Sequence, residues 1–357
     1  MDKLKVCVLG ATGAAGQNVV KSLRNHPWFE ISRLAASERS SGKRYSDAIR
    51  GAVFFDEAPS QDVLEMEVSN VEDLDPTAFG LVFSALPSSV ARVLEPKFAR
   101  HAPVISTASA FRYERDVPIL IPEVNPEHAR LIDFQKDGRG WEGYICPGPN
   151  CTAAGLAMTL KPIYDTFGVQ AVHMVSMQAL SGAGERGLRR DSDYRRSVEM
   201  NVLPYIDREE EKVCREAKKI LGRRVGGGIM DAEIKVHCSC NRVYVENVHT
   251  EVVYVGTREE CSVEEVKQAF RGFVGEPQRL RLPSAPERPI VVLDEEGMPQ
   301  PRLHHEYGGM VTLVGRVRRD TVFENGMVYV LTSDNTDRGA GGGAVLTAEY
   351  LKATGYV

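Results

Sequence analysis

Cys151 lies in the run Pro147-Gly148-Pro149-Asn150-Cys151-Thr152, directly before a helix predicted from Ala153 to Phe167. A thiol at a helix start has its thiolate stabilised by free backbone N–H groups and the positive end of the helix dipole. Free cysteine is also commonly a small buried packing residue, so the position alone leaves chemistry and packing open. His249, in Asn247-Val248-His249-Thr250-Glu251, is of a type that takes a thiol proton and later protonates a hemithioacetal oxygen. A single histidine in a β-rich region is by itself more often a structural hydrogen bonder. Arg242 stands seven residues earlier, so the chain must bend between them for both to share one face, and Asn247 can supply the bend. His237, Cys238, Cys240 and His249 invite a metal reading, but tight zinc sites pair their ligands across a turn. No metal is expected.

These residues need a scaffold. Leu4–Leu9 is a short apolar run that leads into Gly10-Ala11-Thr12-Gly13-Ala14-Ala15-Gly16 and then a helical stretch. Strand, glycine loop and helix in that order let the backbone approach a pyrophosphate, which the helix N-terminus then holds. Gly10, Thr12, Gly13, Ala14, Ala15 and Gly16 are therefore candidate cofactor contacts. The spacing GxxGxxG is looser than the commoner GxGxxG, and a turn that needs glycine only for packing is the competing reading. After the second predicted strand come Ser37, Glu38, Arg39, Ser40 and Lys43. Cationic and hydroxyl side chains suit the 2′-phosphate of NADP, where an NAD site would place an acid. Ser37, Arg39, Ser40 and Lys43 are assigned to it, with Glu38 expected to point outward.

Predicted strands at Ile31–Ala36, Leu81–Leu86 and Pro103–Ser106 alternate with helical stretches, the pattern of parallel βαβ units. Beyond Cys151 longer β-rich runs follow (Val169–Leu180, Ile234–Val245, His249–Val255, Val311–Arg318, Thr321–Leu331), broken by helices at Glu209–Leu221 and Val263–Phe273. The expected fold is α/β: an N-terminal Rossmann-like doubly wound domain over 1–150, completed by a C-terminal helix within 336–357. A second, α+β domain over 151–335 carries a mostly antiparallel sheet. The chain has 357 residues, a net charge of −5, 43% hydrophobic and 26% charged residues, as an ordinary globular protein does. It has no basic run to suit nucleic acid, no apolar run of membrane-spanning length and no signal-peptide layout. Seven scattered cysteines fit a reducing cytoplasm.

In order along the chain, GATGAAG, ASERSSGK, FSALPS, SAFRYERDVPILIPEVNPEH, PGPNCT, MQALSGAG, EEEKVCREAKKILG, CNRV with HTE, and SDNTDRGAGGG resemble the aspartate-semialdehyde dehydrogenases, above all their archaeal and fungal branch. The resemblance implies Cys151 as the acyl-accepting nucleophile, His249 as acid/base and Gln178 orienting substrate, with Asn150 beside the acyl oxygen. It implies Arg242 gripping an α-carboxylate and Arg112 and Lys212 binding phosphate. A glutamate among Glu209–Glu211, taken as Glu209, would meet the substrate amine. Ser181, Gly182 and Asn335 would lie near the nicotinamide. It further implies NADPH-dependent reductive dephosphorylation of L-aspartyl-4-phosphate through a thioester, in lysine, threonine and methionine biosynthesis, by a homodimer or homotetramer acting on small molecules. Two features depart from the family. The segment Glu185–Arg196 replaces the usual Tyr/Phe-Pro-Gly and Pro-Ser-Leu-Asp stretches, and Val248 stands where a glycine precedes the histidine. These leave room for a malonyl- or succinyl-coenzyme A reductase as the alternative. A non-catalytic NADP-binding protein fits the residue set less well, as does an N-acetylglutamyl-phosphate reductase.

Overall fold

The computed structural model describes residues 3–54 and 58–357. Its first sheet is wholly parallel, with six strands: β1 (Leu4–Leu9), β2 (Phe29–Ala36), β3 (Val68–Asn70), β4 (Leu81–Ser84), β5 (Pro103–Ser106) and β6 (Tyr144–Pro147). They lie in the order β3-β2-β1-β4-β5-β6. Both faces of the central strands are covered, so Val6–Leu9 and Leu81–Phe83 are apolar without alternation and fully buried. The order reverses between β1 and β4, and a crevice opens at their carboxyl ends. Gly10 turns the chain there at φ +74°, and a Cβ on it would lie 2.6 Å from the Ala85 carbonyl oxygen. Helix α1 (Ala14–Ser22) starts at once, because Gly16 lets it sit against the loop: a Cβ there would lie 2.1 Å from the Gly10 oxygen. Helices α2 (Ser88–Ala99) and α3 (Leu131–Arg139) complete this layer.

Strands β3 and β6 and helix α3 escape the reading of the sequence. Val68–Asn70 is three residues long and half polar, and Tyr144–Pro147 runs into the Pro-Gly-Pro block. Neither shows a period.

Helix α4 (Cys151–Phe167) leads out of β6 and is buried on nearly all sides. It packs on a second six-stranded sheet made of β7 (Val169–Gln178), β10 (Lys235–Arg242), β11 (His249–Thr257), β12 (Ile290–Leu293), β13 (Thr312–Arg319) and β14 (Gly326–Ser333). A small hairpin, β8 (Arg223–Val225) and β9 (Gly228–Met230), stands apart. The order is β10-β7-β11-β14-β13-β12. The sheet is antiparallel through its centre, but β10 runs parallel to β7 and β12 to β13. The sheet is therefore mixed, with three of its five pairings antiparallel as expected and both edges parallel. The chain between β7 and β10 is long enough to hold helix α5 (Glu209–Ile220), and a parallel pairing needs a crossover of that kind. Helix α6 (Val263–Arg271) backs the same core. Helix α7 (Gly341–Ala353) returns to the first sheet, packs on α1 and adds Ala344, Val345 and Leu346 to its core. No described helix is long and apolar enough to cross a membrane.

Candidate active site

Asn150 caps α4: its side-chain oxygen accepts the N–H groups of Thr152 (2.9 Å) and Ala153 (3.1 Å). Its Nδ2 donates to Glu209 (2.9 Å). Its oxygen is thus spent on starting the helix and one Nδ2 proton on tying it to α5, while the second Nδ2 proton has no acceptor among the described residues and Asn150 borders both clefts. Cys151 follows at the first position of the helix, against Gly339, where a Cβ would lie 2.6 Å from that of Cys151.

The bend expected before His249 is present. Val248 has φ +74°, a left-handed conformation in which a β-branched side chain is strained. Its N–H donates to the Asn335 side chain (3.0 Å). A glycine, which the family resemblance leads one to expect here, would take this conformation without strain. The bend turns His249 so that Nε2 lies 3.3 Å from Cys151 Sγ. On the other side of the ring, Nδ1 accepts the Ala179 N–H (3.1 Å). A nitrogen that accepts has no proton of its own, so the neutral ring carries its proton on Nε2. His249 therefore faces the sulfur as a donor, and not as the base the sequence reading expected.

Burial decides the charges. It pushes the Cys151 thiol up to about 12, helped by the charge of Glu209 and opposed by Arg242, Arg112 and the Thr152 N–H. Burial, with Arg242, also holds His249 well below its usual value. The resting pair is thus thiol and neutral imidazole. Desolvation therefore works against the thiolate that the helix start favours.

Behind this pair, Glu209 collects three donors: Asn150 Nδ2, Gln178 Nε2 (3.2 Å) and Thr152 Oγ1 (3.5 Å). The choice among the three glutamates thereby falls on Glu209, since Glu210 accepts the Cys240 N–H and Glu211 is exposed. Arg242 is 1% exposed, and its guanidinium lies beside the His249 ring over Gly182. A Cβ on Gly182 would meet Arg242 Nη1 at 2.7 Å and His249 Cε1 at 2.9 Å.

Arg112 differs from expectation. Four of its five N–H groups are already used, on the carbonyls of Gly148 (2.8 Å), Thr107 (3.0 Å) and Pro149 (3.0 Å) and on Glu216 (3.1 Å). It shapes the Pro147–Asn150 approach and keeps one donor for a ligand. Glu216, fully buried, also accepts the Asn150 N–H (2.6 Å) and the Tyr113 hydroxyl (3.2 Å). Lys219 donates to the carbonyls of Arg112, Glu114 and Val117. Glu216 and Lys219 are absent from the residues singled out in the sequence, as is Gly339. Their signal was available: Glu209, Lys212, Glu216 and Lys219 recur at helical spacing and line one side of α5.

Two clefts meet here. One, of about 960 Å³, runs from Gly10, Thr12, Gly13, Ala14 and Ala15, past Ser37, Arg39 and Ser40, to Thr107, Arg112, Asn150 and Lys212. The other, of about 730 Å³, is bordered by Cys151, Ser181, Gly182 and Asn335 and shares Ala14, Ala15, Arg112 and Asn150. Gly16 and Lys43 border neither; Gly16 serves loop packing and Lys43 is exposed. Glu38 is exposed at the rim of the first cleft. Ser181 Oγ bonds Asn247 (2.8 Å) and accepts from Asn335 (2.9 Å), which links both to the Val248 bend. The first cleft fits a dinucleotide: the chain reverses at a glycine with no room for a side chain, and α1 offers free N–H groups. Among the described residues no His, Cys, Asp or Glu cluster could hold a metal.

Comparison with known proteins agrees with this geometry. Residues 5–132 match the family described as semialdehyde dehydrogenase, NAD binding domain, and residues 160–338 match semialdehyde dehydrogenase, dimerisation domain. The chain is 45% identical to an aspartate-semialdehyde dehydrogenase of Methanothermobacter thermautotrophicus, over 98% of this chain and 99% of that one. It is 36% identical to a malonyl CoA reductase (NADP) of Metallosphaera sedula, over 99% and 98%. The crystal structure of aspartate semialdehyde dehydrogenase with NADP from Candida albicans superposes with a TM-score of 0.89 at 35% identity, covering 99% of this chain and 100% of that one. With these matches along nearly its whole length, the chain belongs to the aspartate-semialdehyde dehydrogenase family.

Proposed function

We propose that the protein is an NADP-dependent aspartate-semialdehyde dehydrogenase, which reductively dephosphorylates L-aspartyl-4-phosphate to L-aspartate 4-semialdehyde for lysine, threonine and methionine biosynthesis. The observation that carries this is the 3.3 Å contact between Cys151 Sγ and His249 Nε2, with Cys151 bordering the second cleft next to Asn150, which borders both. Residues 1–150 with 336–357 form the nucleotide-binding unit, and 151–335 the catalytic and dimerisation unit. Gly10 to Ala15 hold the cofactor's phosphates, Ser37, Arg39 and Ser40 the 2′-phosphate, and Ser181, Gly182 and Asn335 the nicotinamide end. NADPH, when bound, supplies the hydride that reduces the acyl carbon.

Cys151 sulfur displaces phosphate from the acyl carbon: the C–S bond forms, the C–O bond breaks, and the thiol proton leaves with the phosphate. This route needs no thiolate at rest, which suits the raised thiol. Lys212 and the remaining N–H of Arg112 receive the phosphate, Arg242 the α-carboxylate, and Glu209, held by Gln178, the ammonium. The Nε2–H of His249 bonds the oxyanion of the hemithioacetal, then the thiolate released as the C–S bond breaks, and that thiolate takes up one proton from solvent through His249 to restore the thiol. The half-exposed face of the second sheet, where His173 stacks on His237 at 5.4 Å and lies tilted beside Tyr254, takes a second copy of the chain. The protein works as a homodimer or homotetramer in the cytoplasm, whose reducing conditions suit its seven free cysteines.

The test is NADP reduction by aspartate semialdehyde, which should require phosphate. Cys151→Ala should lower turnover at least ~10⁴-fold and leave NADP binding intact. Turnover only in the reverse sense with an acyl-coenzyme A, as the malonyl CoA reductase relative invites, would replace this reading.

A further inference from the structure

The segment Glu185–Arg196, which departs most from the family's pattern, is docked on Arg242. It forms two short helical turns, Glu185–Leu188 and Asp193–Val198. Tyr194 projects from the second, and its hydroxyl oxygen accepts the Arg242 Nε–H at 3.2 Å. Arg186 lies 4.4 Å over the Tyr194 ring. Arg195 grips Glu246 through two bonds (2.8 and 2.5 Å), which fixes the turn to the loop between Arg242 and His249.

A guanidinium has two edges that can hold a carboxylate with paired bonds: Nε with Nη2, or Nη1 with Nη2. Tyr194 takes Nε, so the first edge is closed. One Nη1 proton goes to the Ala179 carbonyl (2.5 Å). The second Nη1 proton and both on Nη2 have no acceptor among the described residues. Nη1, one end of the open edge, is on the reactive side: it and the His249 ring abut over Gly182, which borders the cleft of Cys151, and that ring touches Cys151.

We propose that Tyr194 is a positioning residue. By holding Nε, it turns the Nη1–Nη2 edge of Arg242 toward the substrate carboxylate, and so makes this segment a determinant of carboxylate specificity. The inference rests on the proposed function. Tyr194→Phe in the full chain removes one oxygen and keeps the ring under Arg186. Phosphate-dependent oxidation of aspartate semialdehyde should show KM raised about tenfold, the size of one lost bond to a charged group. The kcat should stay within about twofold, and KM for phosphate and NADP should not move. 3-Aminopropanal, the same aldehyde without its carboxylate, should be turned over equally by both proteins. An unchanged KM for aspartate semialdehyde, or an equal loss on both aldehydes, overturns the role of Tyr194 alone. A wild type inactive on aspartate semialdehyde overturns the proposed function, and this inference with it.

Discussion

Along the cofactor cleft the residues come in two short runs that are partly or fully open to solvent: Gly10 and Thr12 to Ala15 in one loop, Ser37 to Ser40 in another. Around Cys151 they come from five separated segments, and Gln178, Glu209, Glu216, Arg242 and His249 are nearly or wholly buried. The cleft works through backbone shape and exposed polar groups, so each part contributes locally. At the reaction centre each charged side chain is held by groups from distant segments: Glu209 by Asn150 and Gln178, Arg242 by Ala179 and Tyr194, Arg112 by Glu216. Removing one member there leaves its partners buried and unsatisfied.

Glu216 offers the sharpest way to break this contrast. Glu216→Ala should cost about 3–5 kcal/mol of stability, since it strands Arg112 and the Asn150 N–H in the interior. Denaturant unfolding measures it; a loss below 1 kcal/mol would mean the network is not held in common. The second test concerns charge. With Cys151 pushed up to about 12, the free protein holds little thiolate at pH 8. The sign follows from the acid form being favoured: alkylation by iodoacetamide should be at least a hundredfold slower than for a free thiol, and should rise about tenfold per pH unit through pH 10. Fast alkylation that levels off below pH 8 would show a standing thiolate–imidazolium pair.

On the cleft side the effect should be smaller and confined. Arg39→Ala should weaken NADP binding about tenfold, leave NAD binding unchanged and keep the melting temperature, because Arg39 is exposed and supports no neighbour. Titration with each nucleotide decides it, and equal losses for both would remove Arg39 from the 2′-phosphate. The smallest test is Val248. At φ +74° glycine is favoured over any residue with a Cβ. Val248→Gly should be more stable than Val248→Ala by about 1 kcal/mol, the reverse of their order at an ordinary position. Thermal unfolding of the two variants compares them directly.

The legible parts of this protein were the local ones. The first strand, the glycine loop and α1 follow one another in the sequence, and each is favoured by its own residues. The same holds for the Pro-Gly-Pro-Asn stop and the helix it starts. Strands β3 and β6 were too short to show a period. The parallel edges of the second sheet depend on a crossover that no local pattern records.

Residue types and order alone determined that a cysteine begins a helix, that a basic loop follows the second strand, and that a bend must precede His249. Only the tertiary structure decided what those residues are. It set Glu209, of three neighbouring glutamates, against Asn150 and Gln178, put four of the five N–H groups of Arg112 to bracing the chain, and placed the Ala179 amide on His249. It also buried Cys151, and that burial, with the charge of Glu209, comes from segments far apart in the chain and opposes the thiolate that the helix start favours.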